Sequence, residues 1–195
     1  MFQPLTPAHR ADYLALVQAF YGSDAVDHPI PLSHAEATFD AIAHGSPFLA
    51  GYLFLHAGQA AGYALLMKTW SQEAGGLVVW LDELYIAPAF QGHGLGSAFL
   101  RALPDLFPNA AAFRLEVTPC NQGARNLYSR MGYAPLGYEQ MILTPQSRRR
   151  GSGKAWVQSQ RQRGETSHKN VSLSSLHGGD SFLIVHPARR PDRRG

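Results

Sequence analysis

Gln91-Gly92-His93-Gly94-Leu95-Gly96 follows the apolar segment Leu84-Tyr85-Ile86 and leads into the helix-forming run Ser97–Leu103. Glycines at 92, 94 and 96 permit a sharp turn and close approach of a ligand to the main chain. A helix that starts immediately afterwards presents unpaired N–H groups and the positive end of its dipole to that ligand. Strand, glycine turn and helix start together predict a pyrophosphate cradle. Two common cradles do not fit. No Lys-Ser or Lys-Thr follows the last glycine, as a P-loop requires. A dinucleotide site places G-x-G-x-x-G early in a βαβ unit with an acid about 20 residues on. Here the spacing is Gln-x-x-Gly-x-Gly in mid-chain, and Glu116 follows without a nucleotide signature around it.

On either side of this turn the pattern alternates between helix and strand. Thr6-Pro7 opens a helix with Tyr13, Leu14, Val17 and Phe20 as its apolar face. Ser33 and Glu36 are spaced as a capping box for a second helix to about Ala43. Pro47–His56 and Ala61–Trp70 predict two strands around the turn Ala57-Gly58-Gln59, and Leu77–Ile86 a nearly continuous apolar strand near a sheet centre. Beyond the glycine turn come a helix to about Leu106, a strand over Phe113–Thr118 and a helix over Asn121–Met131 ended by Gly132. A last pair of short strands, or one bent strand, is expected over Tyr133–Leu143.

Gln91, Gly94 and Gly96 match the Gln/Arg-x-x-Gly-x-Gly/Ala acetyl-CoA signature of the GNAT N-acetyltransferase family. That family carries Asn-x-x-Ala-x-x-x-Tyr-x-x-x-Gly-Phe/Tyr downstream, and Asn121, Ala124, Tyr128, Gly132 and Tyr133 stand in that register. Leu81–Pro88 is similar to its fourth strand with the following proline. The chain thus resembles the family from Met1 to about Leu143. The resemblance implies an α/β (α+β) acyl-CoA N-acyltransferase fold: a central mixed, mostly antiparallel sheet flanked by helices, with its first strand near Phe2–Leu5. It also implies acetyl-CoA as co-substrate, with no metal. Backbone N–H groups of Gln91, Gly92, His93, Gly94, Leu95, Gly96 and Ser97 would hold the pyrophosphate, and the strand backbone of Leu84, Tyr85 and Ile86 would pair with the pantetheine arm. One N–H, at Leu84 or Tyr85, would face the thioester oxygen. Asn121 and Ala124 would sit along the pantetheine, with N-capping as a compatible role for Asn121. Tyr128 occupies the general-acid position. The implied activity is acetyl transfer to a primary amine by direct attack in a ternary complex.

An ammonium group, with a pKa of about 10.4 for lysine or about 8 for an α-amine, must lose a proton before it attacks. A carboxylate on the central strand is the natural base. Asp82 and Glu83 both lie there, and strict alternation sends them to opposite faces. Glu83 is favoured for its longer reach; the competing reading makes both ordinary polar strand residues. Cys120 is expected to be a small buried residue at a strand end, and His93 to face solvent or the CoA phosphates. Acceptor specificity is assigned to Tyr21–His34, Trp70–Gly75 and Tyr133–Tyr138. There Asp24, Asp27 and Glu73 would attract a cationic amine and Trp70 offer a cation–π face, or all four are plain loop residues.

Composition bounds the remaining classes. The chain has 195 residues, 45% hydrophobic, with one cysteine and nine scattered histidines, so neither an internal disulfide nor a metal site is expected. No apolar run approaches the roughly 18–20 residues of a membrane span, and Met1-Phe2-Gln3-Pro4 has no secretory character; a cytoplasmic protein is expected. Residues 1–146 hold 6 Lys and Arg against 11 Asp and Glu, a net charge of −5, whereas 147–195 hold 11 against 3, a net of +8. The catalytic domain is therefore placed at 1–146. A basic, Ser- and Gly-rich tail at 147–195 is expected to be disordered, with Ser181–His186 alone apolar enough for an isolated strand. The expected partner is a small-molecule, peptide or protein amine, with a second copy of the chain admitted. Two rival readings are a non-catalytic acyl-CoA sensor and a nucleic-acid contact through Arg148-Arg149-Arg150.

Overall fold

The computed structural model describes residues 1–23, 29–141, 143 and 183–184. In chain order the elements are β1 (Phe2–Pro4), α1 (Arg10–Tyr21), α2 (Leu32–Ala43), β2 (Leu49–His56), β3 (Gln59–Ser71), β4 (Gly76–Ile86), α3 (Leu95–Leu106), β5 (Ala110–Leu115), α4 (Gln122–Arg130) and β6 (Leu183–Ile184). The chain divides into Met1–Gly137 with Gly179–Gly195, and Tyr138–Gly178. All the helices and strands above belong to the first unit.

The sheet runs β1-β2-β3-β4-β5, antiparallel except for the parallel β4–β5 pair. The β2–β3 hairpin turns on Ala57 and Gly58, both at positive φ (49° and 79°), as a two-residue hairpin of matching twist requires. One face of the sheet packs on α3 and α4 through Phe54, Leu66, Val79, Leu81, Phe99, Leu103 and Leu127. The other packs on α1 and α2 through Tyr13, Phe20, Phe39, Leu53, Tyr63 and Tyr85. Burial on this scale, at roughly 1.5–3 kcal/mol per large apolar side chain, is what commits the alternating strands to the centre.

Two features of β4 prepare the site. β5 pairs with it only from Leu77 to Leu81, so the Asp82–Ile86 stretch is released from β5. Opposite β3, Leu65 pairs with Glu83 but Leu66 with Leu81, which makes Asp82 the extra residue of a β-bulge. The bulge reverses side-chain parity. Leu81 and Leu84, three residues apart, sit in the same α3/α4 core, while Tyr85 lies in the α1/α2 core. The strict alternation expected at Asp82 and Glu83 is therefore broken at the bulge, and Glu83 shares the α1/α2 face with Tyr85.

Several boundaries differ from the sequence expectation. α2 starts at Leu32 after Pro31 with no side-chain cap, so the Ser33–Glu36 capping box does not form; Glu36 instead lies 3.7 Å from Arg10. β5 begins three residues earlier than expected and ends at Leu115. The described residues of Tyr133–Leu143 form no strand. Pro135 and Gly137 interrupt the segment, and Leu136, Tyr138, Met141 and Leu143 are exposed, leaving no apolar face to hold a strand on the sheet. The Ser181–His186 segment contributes β6, which pairs antiparallel with β4 at Glu83 and Leu84. β3 already occupies one edge of β4 there, so β6 takes the edge that β5 leaves. Otherwise the expected disorder and nucleic-acid contact of 147–195 fall outside the described residues, as do Asp24 and Asp27.

Candidate active site

The glycine turn forms as its sequence requires. Gly92 and Gly94 adopt φ of +77° and +72°, the left-handed region where any Cβ is strained. Gly94 is the N-cap of α3 and supplies no side chain to its first-turn N–H groups, so those donors stay available for an anion. Gly96 is different: a Cβ there would meet Leu84 Cδ2 at 3.6 Å, an ordinary contact. Gln91 braces the turn, its Nε2 donating to Ile86 O at 3.0 Å, and its own N–H is engaged by Pro88 O at 3.3 Å. The His93 ring turns back, its Nδ1–H donating to Gln91 O at 2.9 Å, and lies 4.4 Å from the His56 ring; it is directed at the turn itself. Leu84 and Ile86 from the released part of β4, Gln91–Gly92 and Gly94–Ser97 from the turn, and Leu127 from α4 line one pocket.

On α4, Asn121 accepts from Ala124 N–H at 3.0 Å and so caps the helix. Ala124 is buried in the core against α3. One turn further on, Tyr128 is 3% exposed, and its hydroxyl has no hydrogen-bond partner among the described residues. Burial, with a smaller contribution from Tyr133 at a ring distance of 5.6 Å, holds the Tyr128 phenol well above its ordinary pKa. Its neighbour Leu127 lines the pocket that ends at the bare N-terminus of α3, whereas Tyr128 itself is not among the lining residues.

On the opposite face, Glu83 receives two phenols. Tyr21 donates to Oε1 at 2.5 Å and Tyr63 to Oε2 at 2.6 Å. Burial raises the Glu83 pKa above its usual value, both tyrosine hydrogen bonds pull it down, and Asp82 raises it further. Asp82 is itself raised by burial. A mostly buried carboxylate with a raised pKa is a stronger proton acceptor than a free one.

The Acetyltransferase (GNAT) family profile matches residues 13–133. The chain belongs to that family. A mouse thialysine N-epsilon-acetyltransferase is 30% identical over 76 residues, 38% of this chain and 42% of that protein; the chain thus spans under half the length of that curated relative. Among solved structures, an integron cassette protein from the mobile metagenome of Cole Harbour Salt Marsh superposes with a TM-score of 0.64 at 21% identity, over 74% of this chain and 90% of that one. The aminoglycoside N-acetyltransferase AAC(6')-Iy, solved with a CoA bisubstrate analogue, superposes with a TM-score of 0.63 at 15% identity, over 74% and 97%. At these identities both report the GNAT fold.

Within that fold the described residues separate the expectations. Leu84, Ile86, Gln91, Gly92, Gly94, Leu95, Gly96 and Ser97 come together around the pocket; Tyr85 faces the α1/α2 core, and only its backbone can serve a ligand. Glu73 is held by Arg114 at 3.2 Å, so its charge is compensated. Trp70 is 77% exposed. Cys120 is exposed, contrary to the buried position expected, because it sits in the turn before α4 and not on β5; its Sγ–H donates to Thr118 Oγ1 at 3.5 Å. Tyr21, named in the sequence only as the start of the Tyr21–His34 specificity segment, and Tyr63 were not candidate partners of Glu83. They stand 62 and 20 residues from Glu83, and nothing in their local sequence marks either as its partner. Among the described residues no helix is long and apolar enough to cross a membrane, and no group of three or more His, Cys, Asp or Glu could hold a metal ion.

Proposed function

We propose that the protein transfers an acetyl group from acetyl-CoA to a primary amine by direct attack, without an acyl-enzyme intermediate. The observation that carries this reading is the release of β4 from β5 after Leu81, which sets the Leu84–Ile86 backbone, paired on that edge by β6 at Leu84, beside the glycine turn, with Glu83 and Tyr128 on opposite sides of the sheet. Acetyl-CoA supplies an activated thioester. The turn and the first N–H groups of α3 bind its pyrophosphate, and a backbone N–H at Leu84 or Tyr85 stabilises charge developing on the carbonyl oxygen. Glu83, directly or through water, takes the proton that the ammonium must lose. The amine nitrogen then bonds to the carbonyl carbon, and as the C–S bond breaks the nitrogen's second proton passes to the sulfur, leaving a neutral amide and CoA thiol. The departing thiolate is met by the Tyr128 hydroxyl.

Burial lifts Tyr128 well above its ordinary pKa, away from a thiol at about 8.5. Its main contribution is therefore a hydrogen bond to the leaving sulfur. The convergence of Asp82 and Glu83 on one stretch of strand favours a cationic acceptor, and we place a small-molecule amine ahead of a peptide. The similarity to a thialysine N-epsilon-acetyltransferase supports an amine acceptor. The test is CoA release, followed with a thiol reagent, across amino acids, polyamines, aminoglycosides and peptides. Turnover on one class, reduced by Glu83→Gln, supports the reading. Tight acetyl-CoA binding with no turnover on any class would favour the sensor alternative.

A further inference from the structure

Glu83 is held by two phenols from different elements, one on each carboxylate oxygen. Tyr63 lies on β3 and is fully buried, 0% exposed. Its ring is enclosed by Tyr13 at 5.3 Å, Tyr85 at 6.0 Å and Phe20 at 6.2 Å, so its hydroxyl has one direction to point. Tyr21 is the last residue of α1, stacked edge-on against Phe20 at 5.0 Å. A core aromatic at either position needs no hydroxyl for packing, because Phe fills the same volume. The hydroxyls are there for the carboxylate.

We propose that Tyr21 and Tyr63 are positioning residues that clamp the Glu83 carboxylate in a single orientation and leave its remaining lone pairs for the acceptor amine or an intervening water. An ionised carboxylate offers about four lone-pair sites; the two phenols use two of them, so two are left for the proton to be abstracted. The inference rests on Glu83 being the base, and it adds how that base is held. The ionisable groups facing Glu83 are Tyr13 and Tyr21 from α1, Tyr63 from β3 and Asp82 from β4. Of these, the two clamp phenols stabilise the charged carboxylate and Asp82 opposes it.

The sign follows. Removing either hydroxyl withdraws a hydrogen bond from the charged form, so the carboxylate protonates at higher pH. The experiment is a ¹³C NMR titration of the full-length protein labelled at glutamate Cδ, with the Glu83 signal assigned by its loss in Glu83→Gln. Both Tyr63→Phe and Tyr21→Phe should move the Glu83 midpoint upward, and the acidic limb of kcat/KM should move with it. In each variant kcat should fall on the order of tenfold while KM for acetyl-CoA is unchanged. A midpoint that stays put in either folded variant overturns the clamp. Should Tyr63→Phe fail to fold, judged by its melting transition, the half-buried Tyr21→Phe decides alone. Full activity in Glu83→Gln would instead remove Glu83 as the base, whatever the titration shows.

Discussion

Substituting Tyr128 by Phe should make the protein more stable and less active. The hydroxyl is buried on a residue 3% exposed and has no partner among the described residues, so in the ligand-free protein it bears a desolvation cost of about 1–3 kcal/mol without a compensating bond. Phe keeps the ring and its packing on Leu127, Tyr133 and the α3 core. Relief of about 1–2 kcal/mol corresponds to a rise in Tm of roughly 3–6 °C for a chain of this size. A hydrogen bond to a departing thiolate is charge-assisted, and its loss should slow kcat by about 10–100-fold, with acetyl-CoA affinity little changed. Scanning fluorimetry or calorimetry without ligand, beside the thiol-release assay, measures both. A Tm that falls by several degrees would show that the hydroxyl is bonded in the free protein. Unchanged kcat would refute its place at the leaving sulfur.

Three further outcomes follow from the same geometry. Gly94→Val forces a β-branched residue to φ of +72° at the mouth of the cradle, a strain of order 1–3 kcal/mol, and should abolish measurable acetyl-CoA binding by calorimetry; Gly96→Ala, whose Cβ meets only an ordinary contact with Leu84, should bind almost normally. Burial raises Asp82 and Glu83 in the folded state, so folding favours their protonated forms. Their contribution to stability is full below the unfolded carboxylate pKa and is lost as pH rises from there through the folded values, so Tm should fall less steeply with pH above about 4, up to the folded values, in Asp82→Asn than in wild type; an identical slope in that window would contradict the shift. Deleting residues 179–195 removes the strand that pairs with Glu83 and Leu84, the edge assigned to the pantetheine arm. Acetyl-CoA should then bind more tightly, and equal affinity would show that strand and ligand do not compete.

The order of helices and strands was legible because each apolar segment carries its own period. Tyr13, Val17 and Phe20 repeat at helical spacing, and Leu77–Ile86 is apolar along its length as a central strand should be. The glycine turn was legible for a related reason: positive φ at Gly92 and Gly94 and a helix start at Leu95 are local properties of six adjacent residues. The Asn121 cap and the Gly132 terminator are equally local. Where local signals misled, a tertiary term had overridden them. The Ser33–Glu36 box lost to a helix that starts two residues earlier, at Leu32 behind Pro31, with Glu36 taken up by Arg10. The Tyr133–Leu143 strands lacked an apolar face to bury, and β6 formed instead from a segment some fifty residues further on.

The sequence by itself determined the sheet-and-helix order, the glycine turn and which residue types could do the chemistry, since these depend on contacts within one or two turns of chain. Only the tertiary structure decided which face Glu83 occupies and what holds it. One extra residue at Asp82, defined by pairing with β3, reverses the parity of everything after it on β4. Tyr21 and Tyr63 reach the carboxylate from two other elements, and that convergence exists only once α1 has packed on the sheet, because hydrogen bonds between distant residues have no period along the chain from which to be read.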